Sequence, residues 1–205
     1  MPATKVDFKR EPRDRYLPGR EPSMIDVPEM GFLMVDGHGD PSTADSYMEA
    51  IEALYSVAYA VKFAVRHSGI DFTVMPLESL WWSADPTAFA ADRSAWDLTA
   101  MIMQPELVTA EIVEEAHDEV AARKPLPALD LLRYERFEEG LAAQVMNLGL
   151  YNEEGPTIAA LHAFVAEQGF VRAGKHHEIY LSDPRRTAPE KLRTVIRQPV
   201  RPATA

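Results

Sequence analysis

Residues 30–35 are apolar almost throughout, and Asp36-Gly37-His38-Gly39-Asp40 follows, a pattern that predicts a short strand closed by a glycine turn. Ser42 and Asp45 then stand at capping-box spacing, which satisfies free N–H groups at a helix start. Tyr47, Ile51, Leu54, Tyr55, Ala58, Val61 and Val65 recur at helical spacing until Gly69 stops the pattern. Leu80-Trp81-Trp82 and the alternation of Trp96, Leu98, Ala100 and Ile102 predict two strands. Pro105 opens a second helix, with Val108, Ile112 and Val120 on its apolar side, and it ends before Pro125.

The plan recurs. Residues 129–137 alternate as a strand does, and 141–148 form another, closed by Gly149. Asn152 can cap a helix carrying Ile158, Leu161, His162 and Val165, with Gly169 as its stop. Residues 176–181 and 192–197 finish as strands. Strand–glycine–helix–strand–strand is thus written twice, over about 30–103 and about 141–198, joined by an inserted helix and strand. The expected fold is α+β: two pseudo-repeats forming a mainly antiparallel sheet, with helices on one face and a ligand cavity on the other. Residues 1–23, polar and broken by Pro2, Pro12, Pro18 and Pro22, are expected as an extended arm before a single domain at 24–205.

Composition narrows the chemistry. Of 205 residues, 46% are hydrophobic, enough for a core without covalent staples. With no cysteine, the chain has no disulfides, thiolate metal sites or cysteine nucleophile, which fits a reducing compartment. A net charge of −11 repels phosphate backbones, so no nucleic-acid partner is expected. The basic cluster Lys5, Lys9, Arg10, Arg13, Arg15 and Arg20 reads as part of the solvated arm. The start lacks a secretory apolar stretch, and the most apolar helix still carries Glu49, Glu52, Lys62 and Arg66. A soluble cytoplasmic protein without membrane partners is expected. No phosphate loop, dinucleotide fingerprint or nucleophile-elbow serine occurs, so no cofactor is expected. No metal is expected either: His176 and His177 are adjacent and point apart, and His38 has no second histidine at i+4.

The most informative strand is His176-His177-Glu178-Ile179-Tyr180-Leu181. Period-2 geometry separates Ile179 and Leu181 from Glu178 and Tyr180, and the apolar pair is expected against the helices. A carboxylate and a phenol, about 7 Å apart along the strand, would then share the concave face. There they could act as base and hydrogen-bond donor, or simply face solvent. Trp81, Trp82 and Trp96 form a second signal: Trp81 and Trp82 point to opposite faces, so one of them could await a flat ligand unless core or interface covers it. Tyr151 follows the Gly149 turn, while Glu153 and Glu154 suit a helix N-terminus through the macrodipole alone. Tyr134 could reach a pocket, and Met101 and Met146 suit either core or an adaptable pocket wall.

These stretches, with Glu139-Gly140-Leu141 and the run from His176 through Ser182-Asp183-Pro184 to Leu192, resemble the long stand-alone branch of the GyrI-like small-molecule-binding family over roughly residues 20–200. The resemblance implies a tandem fold with a cavity between its halves, occupied by a hydrophobic aromatic small molecule. It places the family glutamate on Glu178 and the aromatic positions on Trp82, Trp96 and Tyr180. The family's Gly-Pro-Tyr turn reads Gly149-Leu150-Tyr151 here, without the proline. Relatives include drug-sensing effector domains and stand-alone hydrolases of cyclopropanoid genotoxins. The function so implied is hydrolysis of cyclopropanoid xenobiotics, with Glu178 and Tyr180 catalytic. The alternative is a drug-sequestering or effector-sensing protein acting through a protein partner. A homodimer is compatible with either. A one-chain transcription factor is not expected, since the stretch before the first strand is short for a helix-turn-helix.

Overall fold

The computed structural model describes residues 4–6, 13–84 and 92–203; Pro2, Lys9, Arg10 and Pro12 of the expected arm lie outside them. Along the chain run β1 (Thr4–Val6), α1 (Arg13–Tyr16), β2 (Ser23–Val27), β3 (Met30–His38), α2 (Asp45–His67), β4 (Ile70–Phe72), β5 (Leu77–Trp82) and β6 (Asp97–Gln104). Then come α3 (Ala110–Arg123), β7 (Arg133–Phe137), β8 (Gly140–Leu148), α4 (Gly155–Glu167), β9 (Phe170–Arg172), β10 (His176–Tyr180) and β11 (Arg193–Pro202). The fold is mixed α+β, and the chain divides into two compact units. The first unit is Met1–Glu11 with Met30–Phe137, and the second is Pro12–Glu29 with Glu138–Ala205.

In the first unit, antiparallel strands run in the order β5-β6-β3-β7. Strand β4 pairs in parallel with β1. Helix α2 buries Leu54, Val57, Val61 and Val65, one stripe of its 3.6-residue period. Its Tyr47 touches the ring of Trp81 and the hydroxyl of Ser79, so those two positions of β5 face the helix.

In the second unit the antiparallel order is β2-β8-β11-β10, and β9 joins the far end of β11. Ala143, Val145, Ile196 and Val200 pack against Leu161 and Val165 of α4. The other face of this sheet lies under the segment containing α1. Arg197 donates to the Arg15 carbonyl and Gln144 to the Asp14 carbonyl, and Tyr16 is buried.

The order strand, helix, short strand, strand, strand therefore occurs in both units, as β3-α2-β4-β5-β6 and β8-α4-β9-β10-β11. Three helix starts differ from the sequence pattern. Ser42 gives its N–H and hydroxyl to Asp40, so α2 begins at Asp45 after an Ala44 cap that makes no side-chain bond. Helix α3 starts at Ala110, where Thr109 accepts from Ile112 N–H, and not at Pro105. Asn152 sits in a 3-10 turn, Tyr151–Glu153, and Glu154 takes the cap position of α4 without capping it. The strand expected from residue 129 begins at Arg133, after a 3-10 turn over Leu129–Leu131. Residues 13–27, expected mostly as arm, carry α1 and β2.

Candidate functional site

Cross-strand partners share a sheet face, so register locates side chains. In the second unit Glu178 pairs with Ile196 and Tyr180 with Thr194, while Thr194 pairs in turn with Asn147. Ile196 packs on α4. Glu178 and Tyr180 therefore lie on the helix-bearing face, which corrects the expectation that they turn away from the helices. The physical reason is that the opposite face is buried as well, with Arg197 and Gln144 there donating to the Arg15 and Asp14 carbonyls of α1. Ile179 is buried there without needing α4, so hydrophobic alternation does not single out the helix side.

Four strand and helix ends converge on this face. Tyr180 Oη donates to Glu178 Oε2 at 2.8 Å, and His176 Nε2 lies 3.1 Å from Oε1. The Tyr151 ring meets Tyr180 edge-on at 5.4 Å. Glu154, at the start of α4, is buried, and its Oε1 accepts from Asn147 Nδ2 at 3.2 Å. Thr157 Oγ1 donates to Asn147 Oδ1 at 2.7 Å, which fixes which way that amide points. The buried Thr194 hydroxyl lies beside the same carboxylate.

The buried carboxyl of Glu154 is electrostatically perturbed. Burial, then the charge of Glu178, push the Glu154 pKa up to about 8, against the smaller opposing pull of Thr194 and Asn147. Glu154 thus holds a proton at neutral pH. Nearby on α4, burial together with Arg172 and His176 pulls His162 down to about 4, so its imidazole is neutral. Glu154 was expected only to complement the helix dipole. Its signal in sequence was faint: a carboxylate at a helix start, seven residues after an asparagine near the end of a strand.

In the first unit Trp81 lies 5.8 Å from Tyr47 and 5.5 Å from Trp96, and the Arg93 guanidinium stands 5.3 Å over the Trp96 ring. Gly39 and Gly149, both at positive φ, end the equivalent strands β3 and β8. Aligning them places Asn147 on Gly37, and the ladders then place Thr194 on Leu98, Tyr180 on Trp81 and Glu178 on Ser79. The second unit thus carries a carboxylate and a phenol where the first carries a hydroxyl and an indole.

Among the residues singled out from sequence, Glu178, Tyr180 and Tyr151 are brought together. Trp96 joins the aromatic cluster of the first unit, whereas Trp82 pairs with Asp97 on the strand face opposite Trp81. Tyr134 donates to the Val108 carbonyl. Met101 is fully buried on the face away from α2. Met146 pairs with Val195, on the face opposite Glu178.

A profile of the GyrI-like small molecule binding domain matches residues 20–201. The chain belongs to this family. This GyrI-like chain is similar to two solved Listeria innocua structures. One, an uncharacterized conserved protein, is 42% identical with a TM-score of 0.89, over 96% of this chain and 100% of that one. The other, a hydrolase, is 40% identical with a TM-score of 0.84, over the same shares. The EcmrR C-terminal domain shares the fold alone, at 12% identity and a TM-score of 0.60 over 89% of this chain and 98% of that one. No curated protein matches the GyrI-like chain significantly. Among its described residues no group of three or more His, Asp or Glu could hold a metal ion, and no helix is long and apolar enough to cross a membrane.

Proposed function

We propose that this GyrI-like protein binds planar, hydrophobic aromatic molecules and hydrolyses those bearing an electrophilic cyclopropane, protecting the cell from such xenobiotics. The observation that carries the reading is the carboxylate pair: Glu178, held by two hydrogen bonds, beside Glu154, which keeps its proton at neutral pH. A carboxyl raised by burial can serve as a general acid in a reaction whose base is a neighbouring carboxylate. Similarity to a hydrolase over nearly the whole chain supports the same class.

In the reaction, Glu178 takes a proton from water as the water oxygen bonds to a cyclopropane carbon. The ring C–C bond breaks, and its electron pair runs through the conjugated system to the substrate carbonyl oxygen. That oxygen takes the proton held by Glu154. The product contains one added water, and a proton returning from Glu178 to Glu154 restores the site. Tyr180 was expected as a hydrogen-bond donor. Its single hydroxyl proton is already engaged in the hydrogen bond to Glu178, so its proposed role is to hold that carboxylate. Tyr151 and Tyr180 offer ring surface for a flat ligand. Within the first unit, Trp96 and, on the other strand face, Trp82 are separately proposed as ligand-binding residues.

The test is product analysis after incubation with a planar, cyclopropane-conjugated dienone. The expected result is a ring-opened phenol heavier than the substrate by one water. Saturable binding, seen as a thermal shift without product, would instead support sequestration or sensing.

A further inference from the structure

We infer that His176 is a positioning residue for Glu178: it fixes the plane of the carboxylate and keeps it ionised, without carrying the proton taken from water. This role rests on Glu178 being the base proposed above. His176, Glu178 and Tyr180 stand two residues apart on β10, so their side chains share the helix-bearing face. An ionised carboxylate only accepts hydrogen bonds. His176 Nε2 therefore donates to Oε1 across 3.1 Å, as Tyr180 Oη does to Oε2 across 2.8 Å. One donor on each oxygen stops the carboxylate from turning about its terminal bond, and both bonds favour the anion over the acid.

Around this clamp stand Glu154 at the start of α4, His162 further along it, and Arg172 on β9. A guanidinium only donates, so the 3.4 Å contact between Arg172 Nη1 and His162 Nδ1 leaves the His162 proton on Nε2, which is buried. Burial, then Arg172, then His176 keep that ring neutral. Because His176 Nε2 already carries a hydrogen, it cannot accept one from Glu178 through the bond they share. Orientation is what remains for it to supply. The first unit gives the contrast. There Ser79 stands in place of Glu178 and Trp81 in place of Tyr180, and two residues before Ser79 is Leu77. The imidazole donor is present where a carboxylate needs holding and absent at the matching position where there is none.

His176→Leu removes the donor, whereas His176→Gln keeps one, since a glutamine Nε2 reaches about as far as the imidazole Nε2. With a planar, cyclopropane-conjugated dienone, His176→Leu should lower kcat about tenfold or more and leave KM nearly unchanged. Losing a bond to the anion raises the Glu178 pKa, so the acid limb of its kcat profile should move up by about one pH unit. His176→Gln should return kcat to within about threefold of wild type and the limb to its wild-type place. His176→Asn, whose amide stops short of Oε1, should behave as the leucine variant and replaces it if leucine disturbs packing. The Glu178 carboxyl carbon, followed by NMR without substrate and assigned with Glu178→Gln, should show the same upward move and the same return. That readout tests the clamp even where wild type forms no ring-opened product and the hydrolase reading fails. A wild-type midpoint in both His176→Leu and His176→Asn would overturn the inference. So would a glutamine variant as slow as the leucine one, which would make His176 a proton carrier.

Discussion

Glu178→Gln should slow hydrolysis of a cyclopropane-conjugated dienone by about 10²- to 10⁴-fold, the usual contribution of a positioned general base. The amide keeps the size of the side chain and can still accept from Tyr180, so ligand binding should change little. What it loses is the capacity to take the proton from water. The effect should therefore fall on kcat and leave KM nearly unchanged. Tyr180→Phe removes one of the bonds that orient the carboxylate and should cost less than the glutamate substitution. Equal turnover by wild type and Glu178→Gln would remove Glu178 from the mechanism.

Glu139→Ala should lower unfolding free energy at pH 7 by about 3–5 kcal/mol, since it strands a buried charge. Glu139 Oε2 accepts from Arg197 Nη1 at 2.9 Å, and Oε1 lies 3.0 Å from His177 Nδ1, all three side chains being almost inaccessible. Burial alone would raise this carboxyl pKa, but the charges of His177 and Arg197 prevail and hold it at about 2. The folded pKa is thus below the unfolded value near 4.5. The stabilisation is present above that value and is lost as pH falls towards 2. Denaturant unfolding at several pH values checks both parts: wild type should lose stability across this window, and the variant should lack that component. Replacing Arg197 by Met in the same chain should recover part of the loss, because the unpaired guanidinium is then gone. A loss below about 1 kcal/mol in Glu139→Ala would contradict the account.

This network also explains what sequence reasoning could and could not see. The two strand–helix–strand–strand sets follow from local periodicity and glycine stops, and the run from His176 to Leu192 carries the family resemblance. The facing of Glu178 does not follow, because alternation names two faces without saying what covers each. Here Arg197 and Gln144 reach the backbone at Arg15 and Asp14, so the stretch read as an arm packs on the face that does not carry α4. Ile179 is then buried on that side and Glu178 meets α4. The three-residue strands β4 and β9 are too short to show a period. Glu154 reads from sequence only as a complement to the helix dipole, because its chemistry comes from its neighbours in space, Asn147 and Glu178, rather than from its place at a helix start.

The paired-carboxylate claim is tested most directly by following the Glu154 carboxyl carbon by NMR as pH is raised, with Glu154→Gln to assign the signal. A midpoint near 8, moving down when Glu178→Gln removes the neighbouring charge, is the predicted result. A midpoint near 4.5, unaltered by that substitution, would contradict it.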